Sequence, residues 1–233
     1  MITDKNFLGR NGFMWFTGVV EDRIDPEYLG RVKVRCIGLH TDDKLQLPTA
    51  DLPWAQVVLP VSSAAISGLG FSPSALVEGS WVYGYFRDGE NCQEPLVLGS
   101  IPGYPLSLAD TSKGFNDPNG VYPKYKDERD TNRLAVNLKT ASGLNETNPH
   151  LSLTLRRATR ITGVATADFN PVTAADGSAI EASDGDTFDQ PTIPYAASYP
   201  YNKVYETESG HIRELDDTPG QERIHERHKT GTS

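Results

Sequence analysis

Between residues 31 and 36 the chain alternates Arg31, Lys33 and Arg35 with Val32, Val34 and Cys36. A period of two puts the apolar groups on one face of a strand and the cations on the other. Val32, Val34 and Cys36 are therefore expected to line a core, with the three cations facing outward. Upstream, Trp15 to Val20 is rich in aromatic and β-branched residues and reads as a partner strand. Asp25-Pro26 and Gly30, in the connection between the two, favour a turn. Pro53-Trp54 opens a third strand with Val57 and Leu59 on one face. From Ser80 to Arg87, Trp81, Tyr83 and Tyr85 share one face and Val82, Gly84 and Phe86 the other. A turn at Asp88-Gly89-Glu90-Asn91 leads to a fifth short strand, Pro95 to Ser100. The polar stretch His40–Asp51 and the small-residue stretch from Ser62 to Ser80 carry no period and read as loops. Five short strands with one long loop before the fourth predict an all-β unit, an OB-fold Greek-key barrel over residues 13–103, preceded by a polar arm at 1–12.

At Ile101 the pattern changes. Residues 104–200 are rich in Pro, Asp, Asn, Thr and Ser, yet apolar residues recur at Phe115, Val121, Tyr122, Leu134, Phe169 and Tyr195. A structureless stretch of this length is foreign to a compact domain, and a free linker carries fewer aromatics. The expectation is an extended arm docked along another surface. Within it, Leu151 to Arg160 fits a helix or a strand equally, and residues 174–190 read as an acidic gap. From residue 201 onward, extended runs around Ile212 and Ile224 flank a turn at Asp217-Thr218-Pro219-Gly220. The segment from Lys203 has only Val204, Tyr205, Ile212, Leu215 and Ile224 to bury, too little to offset an ordering cost of roughly 1–2 kcal/mol per residue. It is expected to gain stability by pairing with other copies of itself.

Composition narrows the function classes. Of 233 residues 37% are apolar, and the net charge of −9 opposes nucleic-acid binding, which needs a cationic surface. The same charge opposes a polybasic membrane contact. No apolar run reaches the roughly 18 residues of a span, so no stable membrane insertion is expected. Met1 to Gly12 lacks the apolar core of a secretory signal, and folding in a reducing cytosol follows. Cys36 reads as an inert core thiol. Two cysteines, Cys36 and Cys92, neither demand a disulfide nor suffice for a Cys-only zinc site.

The candidate chemistries fail on spacing. His225-Glu226-Arg227-His228 lacks the HExxH spacing, and in a strand His225 and His228 point to opposite faces, leaving a solvated strand. The acidic run within 174–190 lacks the ordered ligand spacing of a calcium loop. Gly68-Leu69-Gly70 fits neither a dinucleotide fingerprint nor a P-loop. Carboxylate pairs such as Glu21/Asp22 and Asp216/Asp217 are no sign of a glycosidase in so acidic a chain. No serine sits in G-x-S-x-G. Arg156, Arg157 and Arg160 could meet an acidic partner or be solvated. Trp81, Tyr83 and Tyr85 alternate as strand packing does, although one face could offer stacking. The reading is no catalytic residue, no metal site and no cofactor.

Three pieces together resemble one family. GVVEDRIDPEYLGRVKVRCIGLH, LPWAQVVLPVSSAAISGLG, EGSWVYGYF and PLVLGS look like the N-terminal OB domain of the central spike proteins of contractile phage tails. GFNDPNGVYPKYKDERDTN resembles the segment that follows this domain in the tail-lysozyme hub proteins of T-even phages. ETESGHIRELDDTPGQERIHERHKTGT resembles the entry to the triple-stranded β-helix needle that these share with the VgrG proteins of type VI secretion. The resemblance implies the start of an intertwined trimeric β-helix at 201–233, with the needle truncated or absent beyond Ser233. Residues 132–200 are too few for a lysozyme domain, so it is similar to the lysozyme-less spike proteins of T-even-like marine phages. The implied function is structural. Three copies form the central spike of a tail baseplate in the virion, assembled in the bacterial cytoplasm and leading envelope penetration. The implied partners are two further copies, a trimeric hub protein above, a PAAR-like tip protein below, and wedge proteins. The alternatives are a spike of a type VI-like or phage-derived injection system and, from a different class, a peptidoglycan hydrolase hub protein.

Overall fold

The computed structural model describes residues 13–123, 129–136, 197–209 and 211–227. They fall into two compact units divided after Asp130.

The first unit is a closed barrel of β1 (Met14–Asp22), β2 (Val32–Cys36), β3 (Trp54–Val57), β4 (Trp81–Phe86) and β5 (Pro95–Ser100), in the spatial order β1-β2-β3-β5-β4. β1 pairs antiparallel with both β2 and β4, which closes the ring. β3 pairs parallel with β5, so the chain must cross between them instead of turning back as a hairpin. The five strands match the alternation in the sequence, and the fold is the expected OB barrel. Closure leaves no open edge, which removes the aggregation hazard of short strands.

The alternation places Phe16, Val20, Val32, Val34, Cys36, Val82, Phe86 and Val97 in one buried cluster. Val32, Val34 and Cys36 are each 1% exposed, as their parity requires. The other half of that expectation fails. Arg35 and Lys33 do not face solvent; both are buried on the outer side of β2. The reason is the connection at 40–51, which folds back over that face and supplies carbonyl acceptors to both cations. The period of a strand tells which residues point inward but not what covers the other face.

Past the barrel, the described part of the arm at 104–123 lies on the barrel of its own chain. Lys44 donates to the Thr111 carbonyl at 3.0 Å, and the Gly114 N–H donates to the Asp42 carbonyl at 2.7 Å. Asp117, 1% exposed, accepts from the N–H groups of Asn119, Val121 and Tyr122 and fixes the following turn. Asp130 closes the unit through two hydrogen bonds with the Gly103 backbone. The N-terminal arm at 1–12, the helix-or-strand stretch 151–160 with its three arginines, the acidic run and His228 all lie outside the described residues.

The second unit contains a helical turn, α1 (Arg133–Val136), and a three-stranded antiparallel meander of β6 (Asn202–Glu206), β7 (Ile212–Asp216) and β8 (Arg223–Arg227). The turn between β7 and β8 falls at the expected Asp-Asp-Thr-Pro-Gly. β6, which the sequence reading did not single out, pairs with β7 along its whole length.

Candidate functional site

Two places in the molecule concentrate buried polar groups, one in each unit. In the barrel, β1 presents Glu21 and β2 presents Arg35, both essentially without solvent contact. Arg35 Nε donates to Glu21 Oε1 at 2.6 Å and Nη2 to Oε2 at 3.1 Å, a bidentate pair. Two further guanidinium N–H groups donate to the carbonyls of Thr41 (2.6 Å) and Leu47 (2.8 Å). Glu21 also accepts from the Thr49 hydroxyl at 2.8 Å and from the Phe115 N–H at 2.7 Å. The Phe115 ring lies beneath the guanidinium, its centroid 6.0 Å from Cζ. Gly114 is required here, because a Cβ at that position would run into the Arg35 side chain. One ion pair thus ties together β1, β2, the 40–51 connection and the start of the arm. Lys33 belongs to the same face: it donates to the Ala50 carbonyl and sits over the Trp54 ring.

Beside this clasp, His40 Nδ1 accepts from the Cys36 N–H at 2.9 Å. Burial, and after it the Arg35 charge, push the His40 pKa below its ordinary value, with Glu21 opposing. Cys36 itself is pushed up to about 12, chiefly by burial, so its thiol stays protonated and unreactive. Both cysteines are free thiols. At the β1–β2 turn, the Arg31 side chain grips Asp25, which also accepts from the N–H groups of Glu27, Leu29 and Arg31. The Arg31 bond dominates and holds the Asp25 carboxyl well below the usual carboxylate range.

In the second unit the inner face of the sheet is polar. Asn202, Glu214, Asp216 and His225 are all buried there. Glu214 is the hub: His225 Nδ1 lies 2.9 Å from Oε1, and Oε2 accepts from Arg223 at 2.5 Å and from Asn202 at 2.9 Å. Burial alone would raise the Glu214 pKa; the His225 bond, the Arg223 charge and the Asn202 bond together hold it low. Asn202 also donates to the Leu134 carbonyl at 3.1 Å, so α1 is anchored to the sheet. The solvated strand expected around His225 is corrected: the imidazole is 3% exposed and turned onto Glu214. The five apolar residues of this segment divide between the two faces. Val204 and Ile212 pack with Leu134 on the inner face, while Tyr205, Leu215 and Ile224 stand exposed on the outer one.

Glu21 and Glu214 spend their oxygens on fixed structural donors and open onto no reacting group. Among the described residues no cluster of three His, Cys, Asp or Glu side chains could hold a metal ion, and no helix is long and apolar enough to cross a membrane. What the arrangement does is lock loops and strands in place.

A family model described as the Gp5 N-terminal OB domain matches residues 38–177. The chain belongs to the Gp5 N-terminal OB domain family. It is 42% identical over 247 residues to "Protein Gp5" of Vibrio phage KVP40, covering 97% of this chain and 56% of that protein. It is 45% identical over 119 residues to the "Pre-baseplate central spike protein Gp5" of Enterobacteria phage T4, covering 49% of this chain and 20% of that one. The chain thus spans about half the length of one relative and a fifth of the other. The sequence reading missed the Glu21–Arg35 clasp and the Glu214 cluster. The one available signal was Glu21 itself: on a strand whose alternate residues enter a core, a carboxylate fourteen positions before an arginine of a paired strand is a candidate partner.

Proposed function

We propose that this chain is a structural component of a contractile phage tail baseplate, contributing to its central spike. The observation that carries the reading is the T4 relative, whose name is that of a pre-baseplate central spike protein. Three copies associate through the second unit. Among the described residues, β6 and β8 each pair with β7 alone, which leaves two strand edges for neighbours. On the outer face Leu215 lies directly opposite Ile224, with Tyr205 one row away, an apolar stripe that three copies wound about an axis would bury. The barrels sit on a trimeric hub protein, a PAAR-like tip protein caps the distal end, and wedge proteins surround the assembly. The work is load transfer, which requires many main-chain hydrogen bonds and no catalytic group. Its setting is the virion, with assembly in the bacterial cytoplasm.

Sedimentation of the full chain tests the trimer. The wild type should associate, and Leu215→Lys with Ile224→Lys should return it to monomer without unfolding the barrel. Incubation with peptidoglycan tests the absence of hydrolase activity: muropeptide release above the buffer control would overturn that part.

A further inference from the structure

The arm that lies on the barrel contains the run Asp117-Pro118-Asn119-Gly120. An asparagine followed by glycine is the link most prone to spontaneous loss of its side-chain amide, because a residue without Cβ leaves its nitrogen open to close approach. In that reaction the Gly120 nitrogen attacks Asn119 Cγ, and a new C–N bond closes a cyclic imide. The Cγ–Nδ2 bond breaks, and ammonia leaves with the proton that the attacking nitrogen gives up. Water then opens the imide at either carbonyl, to aspartate or to isoaspartate. Chain and water supply every atom, and nothing is oxidised or reduced.

The native turn denies this attack its geometry. Asn119 and Gly120 are both exposed, so water reaches the amide freely. Control therefore rests on the backbone. The Gly120 N–H donates to the Asp117 carbonyl at 3.1 Å, which keeps the proton of the attacking nitrogen engaged. Asp117 Oδ1 accepts from the Asn119 N–H at 2.8 Å, and Oδ2 accepts from the N–H groups of Val121 at 2.5 Å and Tyr122 at 2.7 Å. Both flanks of the susceptible link are thus pinned by one carboxylate that is itself 1% exposed.

The turn also selects the residues that endanger it. The commonest turn closed by such a bond favours Asp first, Pro second and Gly fourth. Gly120 stands at a φ of +68°, and a Cβ there would meet Thr111 Cγ2 at 3.0 Å. A safer residue in its place would strain the turn.

We propose that Asn119 is a spontaneous deamidation site that the Asp117 carboxylate holds closed in the native fold and that becomes reactive when the turn opens. Conversion runs one way. Either product puts a second carboxylate beside Asp117, and isoaspartate also lengthens the backbone by a methylene. The four hydrogen bonds that meet on Asp117 then no longer share one geometry. The arm loses its anchor two residues beyond Phe115, whose N–H donates to Glu21. Asp117 is therefore a positioning residue for chemical durability as well as for the turn, whatever assembly the chain serves.

Incubation of the full chain at mildly alkaline pH tests this. The amide-to-acid mass gain is followed by peptide mapping, which separates Asn119 from Asn11, the other asparagine that precedes a glycine. A synthetic peptide of residues 115–123 in the same buffer sets the unprotected rate. Opening even one charge-assisted bond before attack slows the step about tenfold, so the chain should convert at least that much more slowly than the peptide. Asp117→Ala, with its barrel intact by near-ultraviolet circular dichroism, should convert at close to the peptide's rate. A urea series on the wild type covers the case in which that variant does not fold. There conversion should accelerate as the turn opens and reach the peptide's rate in the unfolded chain. Wild-type conversion at the peptide's rate, a folded Asp117→Ala as slow as wild type, or a rate that urea leaves unchanged would each overturn the proposal.

Discussion

The barrel and the C-terminal sheet bury their inner faces by opposite means. The barrel core is Val, Phe, Ala and Cys, and the fully buried ion pair Glu21–Arg35 lies outside that core. Among the described residues the sheet has a core of Leu134, Ile212 and Val204, and its inner face also carries the Glu214 cluster. Apolar burial is non-directional and stabilises a unit on its own. A buried polar network is worth little in net stability yet costs heavily when one member is removed, so it selects a geometry more than it drives folding. On the proposed reading the barrel is a self-sufficient body, whereas the sheet is a specified shape that gains its stability from neighbouring copies.

The comparison can be broken most forcefully in the barrel core. Val34→Asp should prevent folding of the first unit, because an unpaired carboxylate replaces a methyl-lined contact at a cost of several kcal/mol. Loss of the near-ultraviolet circular dichroism of the barrel aromatics would report it. Next comes the clasp: Arg35→Ala strands Glu21 in a buried site and should cost about 3–5 kcal/mol by denaturant titration. Adding Glu21→Gln should recover part of that loss, which would mark the effect as electrostatic instead of steric.

In the sheet, Glu214→Gln removes the negative charge and one of the two acceptor oxygens that hold Arg223 and His225 and should cost about 1–3 kcal/mol, read as faster exchange of the β7 and β8 amides. The pH dependence follows from the lowered Glu214 pKa. Since the folded value lies below the unfolded one of about 4.3, the stabilisation is complete above that pH and is lost as pH falls through the folded value. The difference between wild type and Glu214→Gln should therefore vanish in acid.

The smallest effect expected is that of His40. Its folded pKa is lowered, so its contribution is present above the unfolded value of about 6.5 and is lost as pH falls toward the folded value. A shallow decline of barrel stability below that pH, absent in His40→Asn, would confirm that the imidazole must stay neutral to accept from the Cys36 N–H.

The same contrast explains what could be read from the sequence. Strands with an apolar inner face announce themselves by period, and the parity of Val32, Val34 and Cys36 was legible because the barrel interior admits nothing else. Arg35 and Lys33 misled because their burial depends on carbonyls of Thr41, Leu47 and Ala50, which no local pattern encodes. His225 misled for a related reason. A polar residue on an inward-facing position of a strand looks like a solvated one until its partner, here Glu214 on the next strand, is known. The three-stranded meander itself was half legible: the turn chemistry marked β7 and β8, whereas β6, with Asn202 and Lys203 at its start, carries no apolar alternation to show it.

The central claim is that the barrel stands alone and the sheet does not. Hydrogen exchange on the full chain, compared between dilute monomer and assembled spike, tests it directly. The account predicts strong protection of the β1, β2 and β4 amides in both states, with protection at residues 204–226 rising sharply on assembly. Equal protection of 204–226 in the monomer would contradict it, because the sheet would then be stable without its neighbours.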